Sequence, residues 1–493
     1  MSNGNILSAF GENINNPILP EIALSCVYGI LDSRHETYSA TGGAATTSGN
    51  LYQCSTGTSV GGYGVIRSKK SVIYHPGEAI RARFTAKFDS NALALSLQFA
   101  GLFNLTDTIA FGYDGVDFGV ILENHGVAEC RTIEVTSAAS GSESATITLD
   151  GDSATANLTA TTAAGNAFEI ARDLSADSTL DAKWNFFQNE SKVIAMSKSV
   201  GAKSGSYSFS SSTATATITQ DKAGLAKTKL TVKKDNWNSY TVTTNPISGN
   251  LESSGGFVFD PSVLNIYQID YGYLGAANIT FSVYNPKSGT FQIVHKMENP
   301  DKNKTSVGNP SMKIGWTSAS LGSSGTNLVV QGGSASIAIC AQEHSKNNDP
   351  LSLESSKSAI STTLTNVLTV RNRGHYGAIY NQGNMSLNSI SINNDHNKGL
   401  VVNIIKNATL GGVPNYKYKN ENDSICEYDV DGTTAAGGEV VAADIVAAGD
   451  SVNIDLKRYD LDLLPRETLT IACKTISGTS TTTDATIVWS ENK

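Results

Sequence analysis

Residues 81–88 read Arg-Ala-Arg-Phe-Thr-Ala-Lys-Phe, and this stretch decides the fold class. Apolar side chains occupy every second position, namely Ala82, Phe84, Ala86 and Phe88. Because successive side chains of a β-strand point to opposite faces of a sheet, the alternation predicts a strand with one buried face.

The alternation continues in residues 93–99. Apolar side chains again stand at every second position, namely Leu93, Leu95, Leu97 and Phe99. The polar residues 89–91, Asp-Ser-Asn, separate this stretch from the first. Two such strands joined by a short polar link are typical of an antiparallel hairpin, so we expect these two strands to pair.

Residues 265–295 show the same period in three successive runs. The expected buried faces are Tyr267, Ile269, Tyr271 and Tyr273, then Ile279, Phe281 and Val283, then Phe291 and Ile293. Asn285-Pro286-Lys287-Ser288-Gly289 has the composition of a hairpin turn between the last two runs. These runs predict a second part of the same antiparallel sandwich.

The stretch between these two blocks is rich in Ala, Ser and Thr. Ala167, Ile170, Ala171 and Leu174 follow helical spacing, and Thr161 or Thr162 can cap the helix start. Residues 192–197 alternate as a strand. The sequence therefore predicts a small α+β domain inserted into a loop of the larger sandwich, where insertion costs little.

The domain prediction for the whole chain follows from these patterns. Residues 1–28, with Pro17 and Pro20, resemble an extended arm, and 344–360 are polar and irregular, as in a linker. Residues 361–493 contain short strand-like runs separated by Gly-Gly turns, which predicts a second sandwich of jelly-roll or immunoglobulin type. The expected order is an arm (1–28), a discontinuous sandwich (29–128 and 235–343), an inserted domain (129–234), a linker (344–360) and a C-terminal sandwich (361–493).

Composition excludes several classes of function. Charged residues make up 16% of the chain, against roughly 25% in average domains, and the formal charge is −9 without a basic stripe. We therefore expect no nucleic-acid partner. No run of about 18 apolar residues occurs, so no membrane span is expected. The six cysteines form no Cys-x-x-Cys pair, which disfavours a zinc site or a redox dithiol.

Three segments carry a resemblance to a known family: residues 111–120, 265–275 and 309–316. They resemble a module found in structural proteins of tailed bacteriophages and of large eukaryotic DNA viruses. The pieces 407–414 and 451–456 look similar to a domain that follows this module. The resemblance implies a concanavalin- or laminin-G-like sandwich with an inserted Ala/Thr-rich domain. It supplies no catalytic residues.

Candidate catalytic and metal motifs are weak. Gly57-Thr58-Ser59-Val60-Gly61 matches a nucleophile elbow but is not followed by a helix. Seven dispersed histidines show no ligand spacing, and Asp429-Val430-Asp431-Gly432 holds only part of a calcium loop. A glycosidase needs two facing carboxylates, for which Asp114, Asp117 and Asp270 are the candidates. Turns and strand faces explain each of these motifs, so we expect no catalytic residue, cofactor or metal.

Three tyrosines are the candidate binding residues: Tyr271, Tyr273 and Tyr284. An exposed tyrosine ring can stack on a sugar, although packing in the core or against another subunit explains tyrosines at these positions more simply. The densest basic run, Arg67-Ser68-Lys69-Lys70, is interpreted as the solvated start of a strand.

The sequence and the resemblance together lead to one hypothesis and two alternatives. The hypothesis is a non-enzymatic virion structural protein, made in the host cytoplasm, that acts in assembly and surface display as a capsid, vertex, spike or tail-associated component. Its partners would be other virion proteins and further copies of itself, for example in a trimer. The alternatives are a receptor or adhesin that binds host-surface glycan and, less favoured, a glycan depolymerase.

Overall fold

The computed structural model describes residues 20–75, 78–238, 250–251, 257–272, 277–298, 304–322, 325–340, 350–395, 397–459, 461–478 and 481–493. The protein is mainly β, with several stacked sheets, so the predicted fold class is confirmed. The chain divides into two compact units. Unit 1 comprises 1–126 and 226–345, and unit 2 comprises 127–225 and 346–493. The predicted arm lies outside the described residues up to position 19, and Pro20–Ser25 forms a strand.

The elements follow the chain through the two units in turn. The first part of unit 1 contains β1 (Pro20–Ser25), β2 (His35–Ala40), β3 (Ala44–Ser48), β4 (Leu51–Ser55), β5 (Tyr63–Ser68), β6 (Ala79–Ala86), β7 (Ser96–Phe103), β8 (Thr108–Asp114) and β9 (Asp117–Asn124). The first part of unit 2 contains β10 (Ala128–Ser137), β11 (Glu143–Leu149), β12 (Asp152–Leu158), α1 (Ala163–Ala176), α2 (Ser178–Lys183), β13 (Trp184–Asn189), β14 (Lys192–Val200), β15 (Ser208–Ser210) and β16 (Thr215–Lys222). Unit 1 resumes with β17 (Thr228–Lys233), β18 (Asn250–Leu251), β19 (Phe257–Val258), β20 (Asn265–Gly272), β21 (Ile279–Asn285), β22 (Thr290–Met297), β23 (Lys313–Ser320), β24 (Val329–Gly332) and β25 (Ser334–Cys340).

The C-terminal part of unit 2 contains the remaining strands: β26 (Leu351–Ile360), β27 (Thr365–Asn372), β28 (His375–Tyr376), β29 (Ile379–Tyr380), β30 (Asn384–Asn394), β31 (Leu400–Lys406), β32 (Thr409–Leu410), β33 (Lys417–Tyr418), β34 (Cys426–Asp429), β35 (Ala435–Ala436), β36 (Glu439–Val446), β37 (Ser451–Asp455), β38 (Asp462–Leu463), β39 (Thr468–Thr475) and β40 (Thr481–Asn492). Three-residue 3-10 helices lie at Cys26–Tyr28, Lys234–Asn236 and Lys457–Tyr459. Among the described residues, no helix combines the length and the apolar composition needed to cross a membrane.

Unit 1 is a sandwich of two large antiparallel sheets. One has the strand order β1-β25-β6-β20-β21-β22 and the other β17-β9-β8-β7-β23-β5-β2. Their inner faces form one aromatic core, in which the ring centroid of Phe111 from β8 lies 4.7 Å from that of Tyr267 from β20. Trp316 of β23 is fully buried there. The predicted inward face of β6 is confirmed, because Ala82, Phe84, Ala86 and Phe88 are all buried.

The predicted hairpin between 81–88 and 93–99 is wrong. Strands β6 and β7 lie in different sheets, so the connection crosses the sandwich. Leu95 adopts a left-handed φ of 58° in a turn, and this turn resets the alternation before β7 begins. Leu95 is therefore 65% exposed, and β7 presents Ala100 and Leu102 to the main core.

The expected face of β22 is also wrong. The pairing of β21 with β22 contains a register shift, in which Phe281 lies opposite His295 and Ser282 lies opposite Ile293. Val294 is the extra residue in this shift, and its side chain lies in the core. Phe291 lies on the outer face instead, where the Arg83 guanidinium stands 4.9 Å from its ring centroid. A β-bulge of this kind leaves no signature in hydrophobic spacing.

His295 provides a pH-dependent contribution to the stability of unit 1. Its ring is buried, its Nδ1 accepts a hydrogen bond from the backbone N–H of Asn238, and burial lowers its pKa from 6.5 to about 4. Because the folded-state pKa lies below the unfolded one, the stabilisation is complete above pH 6.5 and is lost as the pH falls towards 4. We expect His295→Gln to reduce this acid dependence in urea-unfolding midpoints measured from pH 7.5 to 4. An unchanged pH profile would contradict the assignment.

The inserted segment of unit 2 is a small α+β body. Helix α1 confirms the predicted helix, and Thr162 caps it by accepting a hydrogen bond from the backbone N–H of Gly165. A second helix, α2, was not predicted. Both helices pack on a four-stranded sheet (β13-β14-β10-β16) and a three-stranded sheet (β12-β11-β15) around Ile147, Ile170 and Trp184. Strand β17 pairs with β9, so residues 228–233 belong to unit 1 rather than to the predicted insertion.

The C-terminal part of unit 2 is a second sandwich. One sheet has the order β26-β40-β30-β37, with β38 beside β30, and the other has the order β33-β34-β27-β39-β31-β36. Strands β27, β31, β37 and β39 lie in the region 361–493 in which the sequence predicted short strands. The predicted linker is wrong for residues 351–360, which form β26 and pair with β40. Its apolar contacts with the core are Leu351, Leu353 and Ile360, and the six positions between Leu353 and Ile360 hold only polar residues and Ala359, so the sequence shows no continuous alternation.

A seam joins the two segments of unit 2, and we call it the Phe187 seam. The Phe187 ring of β13 lies directly on Gly374, where a Cβ atom would stand 2.1 Å from Phe187 Cε1. The Arg466 guanidinium lies 4.9 Å from the same ring centroid, and the His375 ring centroid lies 5.2 Å from it. Tyr380 completes the seam, because its hydroxyl donates towards the backbone oxygens of Met196 and Ser197 and accepts a hydrogen bond from Asn185.

Arg371 adds a charged contact to the Phe187 seam. Its guanidinium pairs with Glu427 at 2.7 Å, stacks 3.5 Å from the Tyr416 ring centroid and donates to the backbone oxygen of Gln188 across the seam. Glu427 is only 1% exposed. A buried carboxylate of this kind is stable only while its cation remains in place. The seam therefore makes one body from segments that are far apart in the sequence.

Candidate functional site

The three predicted tyrosines fall in different environments. Tyr271 is 1% exposed and its hydroxyl donates to the backbone oxygen of Pro310, so its ring has no face for a sugar. The core-packing explanation therefore applies to Tyr271, and the glycan-stacking alternative does not, because this strand face lies in the sandwich core. Tyr284 is half-buried on the outer face of β21, with its ring centroid 5.5 Å from that of Phe291. Tyr273 lies outside the described residues.

The candidate carboxylates are held in ion pairs on two different sheets. Asp114 and Asp117 lie opposite each other across the β8–β9 pair, and they contact Lys229 and Lys233 at 2.5 and 2.7 Å. Asp270 lies on the other sheet, 2.5 Å from Arg81, and its burial raises its pKa despite that contact. The fold therefore does not bring the three acids together.

The remaining motifs have structural explanations. The Gly57–Gly61 stretch lies in the turn between β4 and β5, with Gly57 at a φ of 63°, and no helix follows it. Asp429 is fully buried and accepts hydrogen bonds from the backbone N–H groups of Asn415 and Gly432, as expected of a turn. In the described part of the chain, no group of three or more His, Cys, Asp or Glu side chains is arranged to hold a metal.

A cluster that the sequence did not predict lies on the outer face of the seven-stranded sheet. We call it the Arg67 cluster: Glu36, Tyr38, Arg67, Phe103 and Lys313. Strand pairing creates it, because Glu36 lies opposite Arg67 and Lys313 lies opposite Phe103. These side chains alternate along their strands with core residues such as Ile66, Ile314 and Trp316, so they point away from the core.

One carboxylate holds two cations in the Arg67 cluster. Glu36 accepts hydrogen bonds from Arg67 Nε at 3.0 Å and from Lys313 Nζ at 2.7 Å. Burial and the nearby Arg67 lower the pKa of Lys313 to about 8, although Glu36 opposes the shift. Burial opposes ionisation of Glu36 as well, yet Lys313 and Arg67 outweigh it and lower the Glu36 pKa. The cluster therefore carries one more cation than anion in a partly desolvated setting.

The aromatic rings of the Arg67 cluster flank its guanidinium. Arg67 Cζ lies 5.1 Å from the Tyr38 ring centroid and 5.8 Å from the Phe103 ring centroid. Tyr38 is 44% exposed, and Arg67 Nη2 donates to its hydroxyl at 3.3 Å. A guanidinium held against aromatic rings can present outer N–H groups to an anion such as a carboxylate or a sulfate. An exposed ring beside it can stack on a sugar.

Only part of the Arg67 cluster was visible in the sequence. Arg67 belongs to the basic run that was interpreted as the solvated start of a strand. That interpretation is wrong about the position, because Arg67 and Ser68 end β5 and Lys69 and Lys70 follow the strand. The sheet then adds Lys313 from a strand almost 250 positions later. The available signal was the alternation of Lys313, Gly315 and Thr317 with the apolar Ile314 and Trp316, and it indicates an outward face without identifying the neighbouring strand.

Comparisons with known proteins give little. No protein-family model matches the sequence, and no curated protein matches it. Among solved structures, the chain is similar to the legume lectin-like domain from Entamoeba histolytica. The TM-score is 0.23 and the identity 8%, over 62% of this chain and 89% of that domain's chain. A similarity of this degree transfers no property from that domain.

Proposed function

We propose that this chain is a structural protein of a virus particle, acting in assembly and surface display and not in catalysis. The viral setting follows from the resemblance of segments 111–120, 265–275 and 309–316 to phage and large-virus structural proteins. Other virion proteins and further copies of the chain are its partners in this proposal.

The observation that carries the structural role is the interleaved construction of the two units. The chain passes between them three times, after residues 126, 225 and 345. Unit 2 is completed only when 127–225 docks on 346–493 through the Phe187 seam. The inserted body cannot separate from the C-terminal sandwich of unit 2 without opening this packed seam. This property suits a permanent building block, whose many modest interfaces add up through avidity.

The test is a cryo-electron microscopy map of intact purified particles, together with mass spectrometry of the same preparation. The proposal expects peptides from both units in stoichiometric amounts and density for both sandwiches against neighbouring particle proteins. Enrichment in infected-cell lysate with absence from purified particles would overturn it. Release of reducing sugar from a glycan, abolished by Asp114→Asn or Asp117→Asn, would contradict the non-enzymatic part.

A second candidate function, glycan binding, is favoured by the Arg67 cluster. Excess positive charge beside the exposed Tyr38 ring suits a sugar that bears a carboxylate or a sulfate. A charge-assisted bond strengthens such recognition, and added salt weakens it. Tyr271 gives no support to this candidate, since it is buried.

We expect Arg67→Gln to weaken binding of carboxylated or sulfated glycans by roughly tenfold or more, because a charge-assisted hydrogen bond is lost. The measurement is a glycan array followed by calorimetry on the best ligand. Lys229→Gln is the matched control, since Lys229 pairs with Asp114 on the same sheet much as Arg67 pairs with Glu36. Equal losses in both variants, or binding of neutral glycans alone, would exclude the cluster as the site.

A further inference from the structure

Strands β28 and β29 form a short hairpin that belongs to the Phe187 seam, and His375 lies in it. His375 of β28 pairs with Tyr380 of β29, and the Tyr380 hydroxyl is bonded to Asn185 and to two backbone oxygens of the inserted body. The hairpin also packs against an apolar cluster of that body. This cluster consists of Cys130, Phe187, Ile194 and Met196. A displacement of the hairpin would therefore open the seam.

The His375 ring is 3% exposed, and its two nitrogens are bonded in a way that suits only the neutral form. Nδ1 lies 2.9 Å from the backbone oxygen of Gly377, which can only accept, so Nδ1 carries the hydrogen of the neutral ring. Nε2 lies 3.3 Å from the Tyr418 hydroxyl and accepts its hydrogen. A proton on Nε2 would turn this acceptor into a donor, so the bond to Tyr418 must reverse or break.

The surroundings of His375 also oppose a positive charge on its ring. Burial is the main cause that lowers the pKa of His375 below its ordinary value, and Arg373 and Arg371 act in the same direction. Glu427 and the bond to Gly377 oppose the shift without reversing it. The Glu427 carboxylate is already paired with Arg371 at 2.7 Å. A protonated ring would therefore be buried beside two guanidinium groups.

The other elements that pack around the hairpin bring no compensating negative charge from the side chains described next. Phe187 of β13 lies 5.2 Å from the His375 ring centroid, and Arg466 lies 4.9 Å from the centroid of the same Phe187 ring. Tyr380 and Tyr418 stay neutral, because burial raises the pKa of both hydroxyl groups. Arg466 therefore adds to the positive charge at the seam.

We propose that His375 is a pH switch of the Phe187 seam: a proton on its ring releases the inserted body from the C-terminal sandwich, while each body keeps its fold. The two bodies have separate apolar cores, so neither depends on the seam for its own packing. Release would uncover the apolar cluster around Phe187 and Cys130. This conformational change goes beyond the proposed particle role, since it takes place within one chain.

The sign of the pH dependence follows from the two states of the seam. In the open seam His375 meets solvent and titrates near its ordinary pKa of 6.5, whereas the closed seam holds its pKa lower. The closed form is therefore fully favoured above pH 6.5 and loses stability as the pH falls below that value. Each unit of pKa difference between the two states changes the opening equilibrium in acid by a factor of about ten.

The thiol of Cys130 reports the opening of the seam. Cys130 is buried in the seam cluster, whereas Cys54 lies in the core of unit 1 and Cys473 in the core of the C-terminal sandwich. The full chain is treated with a dithiodipyridine, which reacts with thiols in acid, at about pH 7.5 and about pH 5, on either side of the ordinary histidine pKa. Mass spectrometry identifies the labelled cysteines, and a small thiol at each pH corrects for intrinsic reactivity. We expect the corrected labelling rate of Cys130 to rise about tenfold or more in acid, with Cys54 and Cys473 still protected.

Two variants connect this response to His375. His375→Gln is expected to abolish the acid response, because glutamine does not gain a proton. Tyr418→Phe keeps the aromatic ring and removes the hydroxyl that bonds Nε2. It is expected to raise labelling of Cys130 roughly fivefold at neutral pH, through the loss of one hydrogen bond, and to reduce the ratio of acid to neutral labelling. This second variant tests the switch even if His375→Gln does not fold.

His295→Gln is the matched control, because it removes a buried histidine of unit 1 and should leave the acid response of Cys130 unchanged. The proposal would be overturned by a corrected labelling rate of Cys130 that is the same at both pH values in the wild type. Simultaneous acid labelling of Cys54, Cys130 and Cys473 would overturn it as well, since that pattern indicates global unfolding. So would an undiminished acid response in His375→Gln or in Tyr418→Phe. These experiments use the purified chain without particles, so their failure would leave the proposed particle role to its own test.

Discussion

Replacing Gly374 with valine is expected to destabilise unit 2 by about 3 kcal/mol, because overpacking forces side chains and backbone to shift. A Cβ atom at this position would stand 2.1 Å from Phe187 Cε1 and 2.8 Å from two further atoms of the ring. Phe187 cannot retreat easily, since it packs with Cys130, Ile194 and Met196 inside the seam. The Phe187 ring must therefore leave its position, and the inserted body then loses its packing contact with the C-terminal sandwich.

Hydrogen exchange measured by mass spectrometry locates the effect. Peptides spanning 184–200 and 369–381 should lose protection in Gly374→Val, while peptides from the core of unit 1 should keep theirs. Urea unfolding supplies the free-energy difference. Phe187→Ala alone should cost about 3 kcal/mol for the lost burial of a large side chain.

A double-mutant cycle isolates the clash between the two positions. Once Phe187 is alanine, nothing remains at 2.1 Å to meet the valine, so Gly374→Val should add little to the cost of Phe187→Ala. If Gly374→Val cost as much in that background as in the wild type, the steric explanation would fail. A strained backbone at Gly374 would then be the better account.

The second large effect is expected at Asp107 in unit 1. Asp107→Ala should lower the free energy of unfolding by about 4 kcal/mol, because it leaves buried N–H donors without an acceptor. The Asp107 carboxylate is fully buried. It accepts hydrogen bonds from the backbone N–H groups of Gly308 at 2.7 Å, Asn309 at 3.0 Å and His125 at 3.2 Å. One side chain therefore holds the segment before β23 against the ends of β8 and β9.

Two variants test this role of Asp107. Asp107→Asn keeps one acceptor oxygen but turns an amide donor towards the backbone N–H groups, so an intermediate loss of stability is expected. Asp89→Ala is the control, because Asp89 accepts a solvent-exposed hydrogen bond from the backbone N–H of Asn91, and its loss should cost less than about 1 kcal/mol. Urea unfolding and hydrogen exchange of peptide 304–314 supply the readouts. Equal costs at positions 107 and 89 would contradict the buried-acceptor explanation.

Local regularities made part of the fold predictable. The faces of β6, β20 and β21 follow from period-2 spacing, as the buried Ala82, Ile269 and Phe281 show. Helix α1 follows from 3.6-residue spacing and from the Thr162 cap. Each of these features depends on residues within one turn or one strand, so neighbouring positions carry the whole signal.

The same reasoning failed where a turn or a bulge shifted by one residue which side chains of a strand face the core. The left-handed turn at Leu95 reverses the expected face of β7, and the bulge beside Ile293 reverses that of β22. Because side chains alternate with a period of two, a shift of one position exchanges the buried and the exposed sets. Hydrophobic spacing does not reveal the shift when both candidate faces contain apolar residues.

The sequence by itself determined that this chain is a mainly β protein with one Ala/Thr-rich insertion, because alternation and composition are properties of consecutive residues. Only the tertiary structure decided that Lys313 joins Arg67 at Glu36 and that Phe187 lies on Gly374. Each of these outcomes depends on which distant strand becomes a neighbour. That choice follows from the packing of whole sheets, and no short window of residues encodes it.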